Sequence, residues 1–191
     1  WIAVAGVILV ILFASQIIKL SLPVLPFYTI VLILGTYNLI FLFLLIHIRK
    51  RESVNLFMIT NRIANLQISF DLTSLAALIH FSGGIENPFI FYFIFHMIIA
   101  SILLSRRASF LQATFAVLLF CLIVILEYFG ILPHYCLKSF IIHNQHNNLI
   151  YISGVSFVFI STLYIAVYMA TSISGKLKQR EKILEETNEL L

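Results

Sequence analysis

Apolar residues occur in long runs separated by short polar segments, a pattern typical of a chain that crosses a membrane repeatedly. Six runs can be drawn, at residues 2–18, 27–48, 56–81, 89–105, 109–129 and 149–171. A bilayer core about 30 Å thick needs roughly 20 apolar residues for each helical span. Long stretches that alternate with a period of two are absent, which disfavours a transmembrane barrel. The pattern therefore predicts an all-α integral membrane fold, a bundle of six transmembrane helices.

Composition supports this class. Of the 191 residues, 61% are hydrophobic and 10% are charged, whereas a soluble domain carries roughly a quarter charged residues. The two cysteines, Cys121 and Cys136, form no CxxC or zinc-binding spacing. We therefore expect neither a soluble domain nor a disulfide framework within residues 1–172.

The character of the chain changes after the sixth run. The segment "SGKLKQREKILEETNELL" is charged and rich in helix-forming residues, and Leu177, Leu184 and Leu191 are spaced seven apart. This spacing favours a coiled-coil seam. We expect residues 173–191 to continue the last span as a cytoplasmic linker helix, to pair in a homodimer, and to lead into further domains of a longer protein.

Basic residues predict the orientation. They follow spans two, four and six: Arg49, Lys50, Arg51, Arg106, Arg107, Lys176, Lys178, Arg180 and Lys182. Only Lys19 and Lys138 lie on the opposite side. Because cytoplasmic loops carry the excess of Lys and Arg, both termini are expected in the cytoplasm. This bias accounts for the net charge of +4 without a nucleic-acid partner.

The third run carries polar side chains on two faces. At 100° per residue one stripe combines Gln67, Asp71 and Ser74, and another combines Ser69, Thr73 and His80. Hydrocarbon offers no hydrogen-bond partners, so this span should lie inside the bundle or at a dimer contact. Asp71 falls near mid-membrane, where a carboxyl is either functional or a polar tie between helices.

The stretch "GGIENPF", residues 83–89, predicts a tight helix–helix turn on the outer side. Gly83 suits a left-handed helix end, and Gly84 permits a sharp reversal with close approach of other groups. Asn87 suits an N-cap and Pro88 the first position of the next helix.

The same turn is also a candidate ligand site. A helix start presents free N–H donors, and Asn87 offers an amide to a carbonyl oxygen. Phe89, Tyr92, Phe93 and His96 should share one face of span four. A flat apolar ring with two carbonyls, a quinone, fits such a site. The alternative is an ordinary aromatic belt at the membrane interface.

Gly83, Gly84, Asn87, Pro88 and Phe89 match the GGxxNPF heptapeptide, and this region resembles the RegB/PrrB-type redox-sensing histidine kinases. The preceding "LQISFDLTSLAALIHFSGG" resembles the span that leads into the motif. The resemblance implies a six-span sensor in the bacterial inner membrane that binds ubiquinone or menaquinone, without covalent attachment, in the outer loop between spans three and four. It also implies a parent two-component kinase that phosphorylates a response regulator.

The residues that this resemblance implies for quinone binding are Gly83, Gly84, Asn87, Pro88, Phe89, Tyr92, Phe93 and His96. Gln67, Asp71 and His80 are expected to be proton-linked or structural. No catalytic residue is expected, because the phosphoacceptor and ATP-binding parts are absent from these residues.

Other interpretations remain open. A small transporter or intramembrane enzyme would use Asp71 and His96, and a membrane anchor would need no ligand. We expect no metal site, although His134, His143 and His146 in the outer loop leave copper or zinc as an alternative. Glu127 is expected to reach the membrane interface.

Overall fold

The computed structural model describes residues 1–13, 24–49, 56–135 and 145–189. It contains six α-helices: α1 Ile2–Leu12, α2 Val24–Arg49, α3 Leu56–Phe81, α4 Tyr92–Leu103, α5 Arg106–Tyr128 and α6 Leu149–Glu189. Three short 3-10 helices lie at Gly84–Glu86, Pro88–Phe91 and Gln145–Asn147. No strand occurs within these ranges. The all-α prediction is therefore confirmed; Cys136 and His143 lie outside the described residues.

Three helices are long and apolar enough to span a membrane among the residues described, namely Leu25–Ile48, Arg106–Tyr128 and Leu149–Asn188. The segment Pro88–Leu103 is a shorter apolar helix. Many large apolar side chains on these helices are exposed on the outside of the bundle. Such surface is stable in lipid and not in water, so the chain is a multi-span membrane protein.

The core lies among α3, α4, α5 and α6. The Phe120 and Phe159 rings pack in a tilted arrangement with centroids 4.2 Å apart, and Phe93 meets Phe159 edge-on. The most deeply buried residues of this core also include Leu72, Met97, Ala116, Leu163 and Val167. Two smaller apolar clusters pack α1 and α2 against the other side of α3. The turn between α3 and α4 is thus attached to a four-helix unit with a continuous buried core.

The polar helix α3 lies inside the bundle, in contact with α2, α4 and α5. Ser74 and His80 are buried. The amide nitrogen of Gln112 in α5 lies 2.6 Å from Asn65 Oδ1 and 2.8 Å from Ser69 Oγ. These contacts confirm the expectation that α3 lies inside the bundle. Thr73 is the exception among the predicted polar positions: it is exposed, and its hydroxyl donates to the Ser69 carbonyl of the same helix at 2.8 Å.

The two ends of the bundle differ in chemistry. At one end Lys178 of α6 approaches the carbonyl of Ile102, and the Arg106 guanidinium lies 5.8 Å from the Tyr168 ring centroid. The α3–α4 turn meets the end of α5 and the start of α6 at the other end. Basic residues that follow spans four and six therefore gather opposite the turn, as the charge pattern predicted.

Helix α6 is continuous from Leu149 to Glu189 and runs through Gly175 without a break. The prediction that the last span continues as a helix is confirmed. From Gly175 to Asn188 every residue is exposed. Leu177 and Leu184 of the predicted seam are exposed, and Leu191 lies outside the described residues. Pairing in a dimer therefore stays a prediction.

Candidate functional site

The turn after α3 has the backbone conformation that its glycines predict. Gly83 has φ 111° and Gly84 has φ 52°, both in the left-handed region that favours glycine. The amide of Glu86 donates to the Gly83 carbonyl at 3.0 Å, and that of Asn87 to the Gly84 carbonyl at 3.1 Å. The reversal is thus a short 3-10 turn, and the Gly83 prediction is confirmed.

Asn87 is the N-cap of the next helical segment. Its Oδ1 accepts the Phe89 backbone N–H at 2.8 Å, with Pro88 in the first helical position. Its Nδ2 donates to the Ser82 carbonyl at 2.9 Å and to the Ser82 hydroxyl. The side chain is 1% exposed. The capping prediction is confirmed, but both amide protons are used inside the turn. Asn87 therefore has no donor left for a ligand carbonyl, which corrects the sequence hypothesis for this group.

Glu127, at the end of α5, packs directly against Gly84. A Cβ placed on Gly84 would lie 2.8 Å from Glu127 Oε1, so only glycine leaves room for the carboxylate. Glu127 Oε1 lies 2.7 Å from His80 Nδ1, and Oε2 lies 2.7 Å from His134 Nδ1. The expectation that Glu127 reaches the interface is wrong, because these two histidines retain the carboxylate in the interior.

Glu86, the carboxylate of the turn, is also buried. Its Oε1 accepts the backbone N–H of Gln145 at 2.5 Å and that of His146 at 3.0 Å. Its Oε2 lies 3.4 Å from His134 Nε2. Glu86 thereby connects the α3–α4 turn to the short helix that precedes α6.

His134 and His146 complete what we call the outer cluster: His80, Glu86, Glu127, His134 and His146. The rings of His134 and His146 stack with centroids 3.9 Å apart and planes 17° apart. Burial lowers the pKa of His134, but its hydrogen bond to Glu127 and the nearby carboxylates outweigh burial and raise the pKa above the ordinary value. For His146, burial and then the charge of His134 lower the pKa. Between the two stacked rings, the structure therefore favours the positive charge on His134 rather than on His146.

The aromatic side chains after the turn divide into two sets. Phe89, Tyr92 and Phe95 form an exposed row, with successive ring centroids 5.5 and 5.7 Å apart. His96 is half-buried, with Nδ1 3.1 Å from the Tyr92 carbonyl. Phe93 instead lies in the core, 1% exposed. Its expected place in the aromatic wall is wrong, because residues 88–91 form a 3-10 helix with a shorter period than the α-helix assumed.

A shallow groove lies beside the turn, between the Pro88–Phe91 helix and α6. Its volume is about 190 Å³ and its accessible lining is apolar. Ile90 and Phe91 form one wall, and Gly154, Val155, Val158 and Phe159 of α6 form the other. This groove places an apolar site in direct contact with the helix that leaves the bundle.

Polar residues near the middle of α2 and α3 connect these two helices. The Tyr37 hydroxyl donates to an Asp71 carboxylate oxygen, and Gln67 Nε2 donates to Asn38 Oδ1 at 3.0 Å. Asn38 also donates to the Leu34 carbonyl at 2.8 Å. The structure thus gives Asp71 and Gln67 partners within the bundle, as expected of ties between helices, while a proton-linked role stays a prediction.

Sequence reasoning missed that Glu86, Glu127, His134 and His146 meet. One signal was available: half of the eight acidic residues lie in the last eleven positions, and Glu86 and Glu127 are two of the remaining four. Each lies at, or a few residues after, the C-terminal end of an apolar run. A carboxylate in such surroundings calls for a cationic or hydrogen-bonding partner, and the loop between the fifth and sixth runs holds three histidines.

Comparison with known proteins gives one family. No curated protein and no solved structure matches the chain significantly. The family model of the PilS-like transmembrane domain, a six-span domain, matches residues 2–184. This match covers nearly the whole chain and all six helices, whereas the narrower RegB/PrrB resemblance rests on the turn motif. The chain therefore belongs to the family of PilS-like transmembrane domains, membrane domains of the sensor-kinase type.

Proposed function

We propose that this chain is the sensory membrane domain of a two-component histidine kinase, and that it responds to a quinone bound at the outer end of α4 and α6. The observation that carries the proposal is the apolar groove beside the GGIENPF turn. One wall follows the turn and the other belongs to α6. A ligand there would touch both the motif and the helix that continues out of the bundle.

The groove suits the chemistry of a quinone. Its accessible lining is apolar, and the exposed Phe89 and Tyr92 flank the lining residues Ile90 and Phe91 in the sequence. Aromatic faces pack well against a flat ring and its isoprenoid tail. In this proposal the remaining motif residues hold the turn in place and do not touch the ligand. They are Gly83, Gly84, Asn87 and Pro88.

The proposed signal travels along α6. A ligand shifts a conformational equilibrium only if it binds one state more tightly than the other. A ring between Ile90 and Val155 would favour the state in which α6 stands away from the turn, and the unbroken helix would carry that displacement to Glu189. Cytoplasmic termini in a bacterial inner membrane, a homodimer and a response regulator as the final recipient belong to the same proposal.

The sharpest test fills the groove. No atom lies within 4 Å of a Cβ added to Gly154, so Gly154→Leu places a side chain in the groove without a backbone clash. Gly35→Leu in α2 is the matched control, because Gly35 is also helical and open. Both changes should raise helix propensity by up to about 1 kcal/mol, so neither should unfold the chain.

The assay is equilibrium binding of a short-chain ubiquinone and a short-chain menaquinone to the protein in lipid nanodiscs. We expect Gly154→Leu to weaken binding at least tenfold, about 1.4 kcal/mol, and Gly35→Leu to leave it unchanged. Phe89→Ala should weaken binding less, since its ring is partly exposed to lipid. Equal affinities for wild type and Gly154→Leu would reject the groove as the quinone site.

A further inference from the structure

Three side-chain atoms of the outer cluster are buried, and nothing in the described part of the chain makes a hydrogen bond to them. They are Glu86 Oε2, His134 Nε2 and His146 Nδ1. Buried polar atoms are normally paired, and each unpaired one costs about 1–3 kcal/mol. These three atoms belong to side chains that are 0%, 7% and 13% exposed. A single positively charged partner placed between these atoms would satisfy all three together.

The three residues also meet at one point. One ligand atom from each lies within 4.8 Å of the others. They reach it from three separate segments: the α3–α4 turn, the loop after α5, and the short helix before α6. We propose that Glu86, His134 and His146 bind a divalent transition-metal ion of the zinc class.

The geometry fits such an ion. Zinc bonds to histidine nitrogen and carboxylate oxygen are about 2.0–2.2 Å, so two ligand atoms in a tetrahedral site lie about 3.4 Å apart. Glu86 Oε2 and His134 Nε2 are separated by 3.4 Å. His146 Nδ1 lies 3.8 Å from the other carboxylate oxygen, Glu86 Oε1, and the ligand atoms of all three residues lie within 4.8 Å of one another. Two imidazoles and one carboxylate favour zinc-class ions over Mg²⁺ or Ca²⁺, which prefer oxygen ligands.

The groups around the three ligands also support metal binding. Glu127 Oε2 lies 2.7 Å from His134 Nδ1; when the His134 ring is neutral, this hydrogen bond favours the tautomer with the proton on Nδ1, and the Nε2 lone pair then faces Glu86. Metal-binding histidines commonly use their second nitrogen in this way. Glu86 Oε1 is occupied by two backbone N–H groups, which aims Oε2 at the same point. The cluster thus has both the ligands and the groups that orient them.

A bound ion would connect the turn to α6 through protein ligands rather than through the groove. It would hold His146, three residues before α6 begins, against Glu86 of the turn. The proposal does not depend on quinone binding, since the groove and the outer cluster share no residue. The competing explanation is a protonated His134 that neutralises Glu86 and Glu127 without a metal.

The test uses the chelator-treated protein in detergent and titrates it with Zn²⁺ by isothermal calorimetry. Co²⁺ serves as the second probe, because its visible absorption reports nitrogen and oxygen coordination. We expect one ion for each chain and a rise in thermal unfolding temperature with Zn²⁺. Glu86→Gln and His146→Gln should each weaken Zn²⁺ binding by about 100-fold or more. Glu127→Gln should weaken it by about 10–100-fold, as changes beside a ligand do.

His47→Gln is the matched control, because His47 is exposed in α2 and lies outside the cluster. It should leave Zn²⁺ affinity unchanged. If the folded wild type shows no saturable Zn²⁺ binding, the protonated-histidine explanation holds and the metal site is rejected. Equal Zn²⁺ affinity in wild type and His146→Gln, or equal affinity for Mg²⁺ and Zn²⁺, would also overturn it. If Glu86→Gln fails to fold, the Zn²⁺ affinity of His146→Gln decides between the two explanations. His146 has the most exposed side chain of the three, so its replacement should disturb folding least.

Discussion

Gly84→Ala is expected to be among the most damaging single-methyl additions in this chain. The new Cβ would lie 2.8 Å from Glu127 Oε1 and 2.9 Å from Cδ, and closer still to Oε2. The carboxylate must then move, and its contacts to His80 and His134 stretch or break. Gly84 also has φ 52°, where any other residue is strained. Two separate costs therefore act at this position.

Their magnitudes can be estimated separately. A non-glycine residue in the left-handed region costs about 1–2 kcal/mol. Loss of one charge-assisted hydrogen bond costs about 1.5–3 kcal/mol. We therefore expect Gly84→Ala to lower the free energy of unfolding by about 2.5–5 kcal/mol. Gly130→Ala isolates the backbone cost, because Gly130 has φ 69° but no atom within 4 Å of an added Cβ. It should cost only about 1–2 kcal/mol.

The assay is reversible unfolding of the purified chain in mixed micelles, followed by circular dichroism. A double-mutant cycle with Glu127→Ala identifies the clash, since contacting residues give non-additive changes. Once Glu127 is truncated, Gly84→Ala should cost no more than Gly130→Ala. If Gly84→Ala and Gly130→Ala are equally stable in the wild-type background, the close approach of Glu127 contributes nothing, and the reasoning is refuted.

Two further changes test the polar contacts. Asn87→Ala removes the cap and the hydrogen bonds to Ser82, and should lower the free energy of unfolding by about 2 kcal/mol in the same assay. Asn87→Asp retains the cap oxygen and should therefore lower it less. A larger loss for Asn87→Asp than for Asn87→Ala would contradict the capping role. Tyr37→Phe removes the hydroxyl that donates to Asp71 and should cost about 0.6–1.7 kcal/mol, as for other hydrogen bonds between membrane helices. Tyr28→Phe, at an exposed tyrosine of α2, is its control, and similar losses in both would show that the Asp71 contact adds no stability.

The turn could be predicted from sequence because its chemistry is local. A left-handed Gly83, an Asn87 cap and Pro88 at the first helical position each follow from a residue and its neighbours, and all three are confirmed. The α-helical period gave a wrong prediction for the aromatic residues that follow the turn. Phe93 was placed with Phe89 by counting α-helical turns, but the 3-10 geometry of residues 88–91 changed the phase before α4 begins.

The outer cluster could not be predicted in the same way. Glu86 and His146 are 60 positions apart, and His80 and Glu127 are 47 apart. Which helix ends meet depends on how the bundle packs, and the apolar runs specify only that helices exist. The polar stripe of α3 did predict an interior helix. It did not reveal that Gln112 would meet Asn65 and Ser69 on one side while Tyr37 meets Asp71 on the other.

The unbroken α6 has a consequence for rotational phase. Each residue in an α-helix turns the chain by about 100° and advances it by 1.5 Å. One residue inserted in the exposed part after Gly175 would therefore rotate any unit attached beyond Glu189 by about 100° relative to the bundle, and would leave the groove and the outer cluster untouched. Seven inserted residues would nearly restore the original phase, with an offset of about 20°. The number of residues in the exposed part of α6 therefore determines the angle between the bundle and any unit attached beyond Glu189.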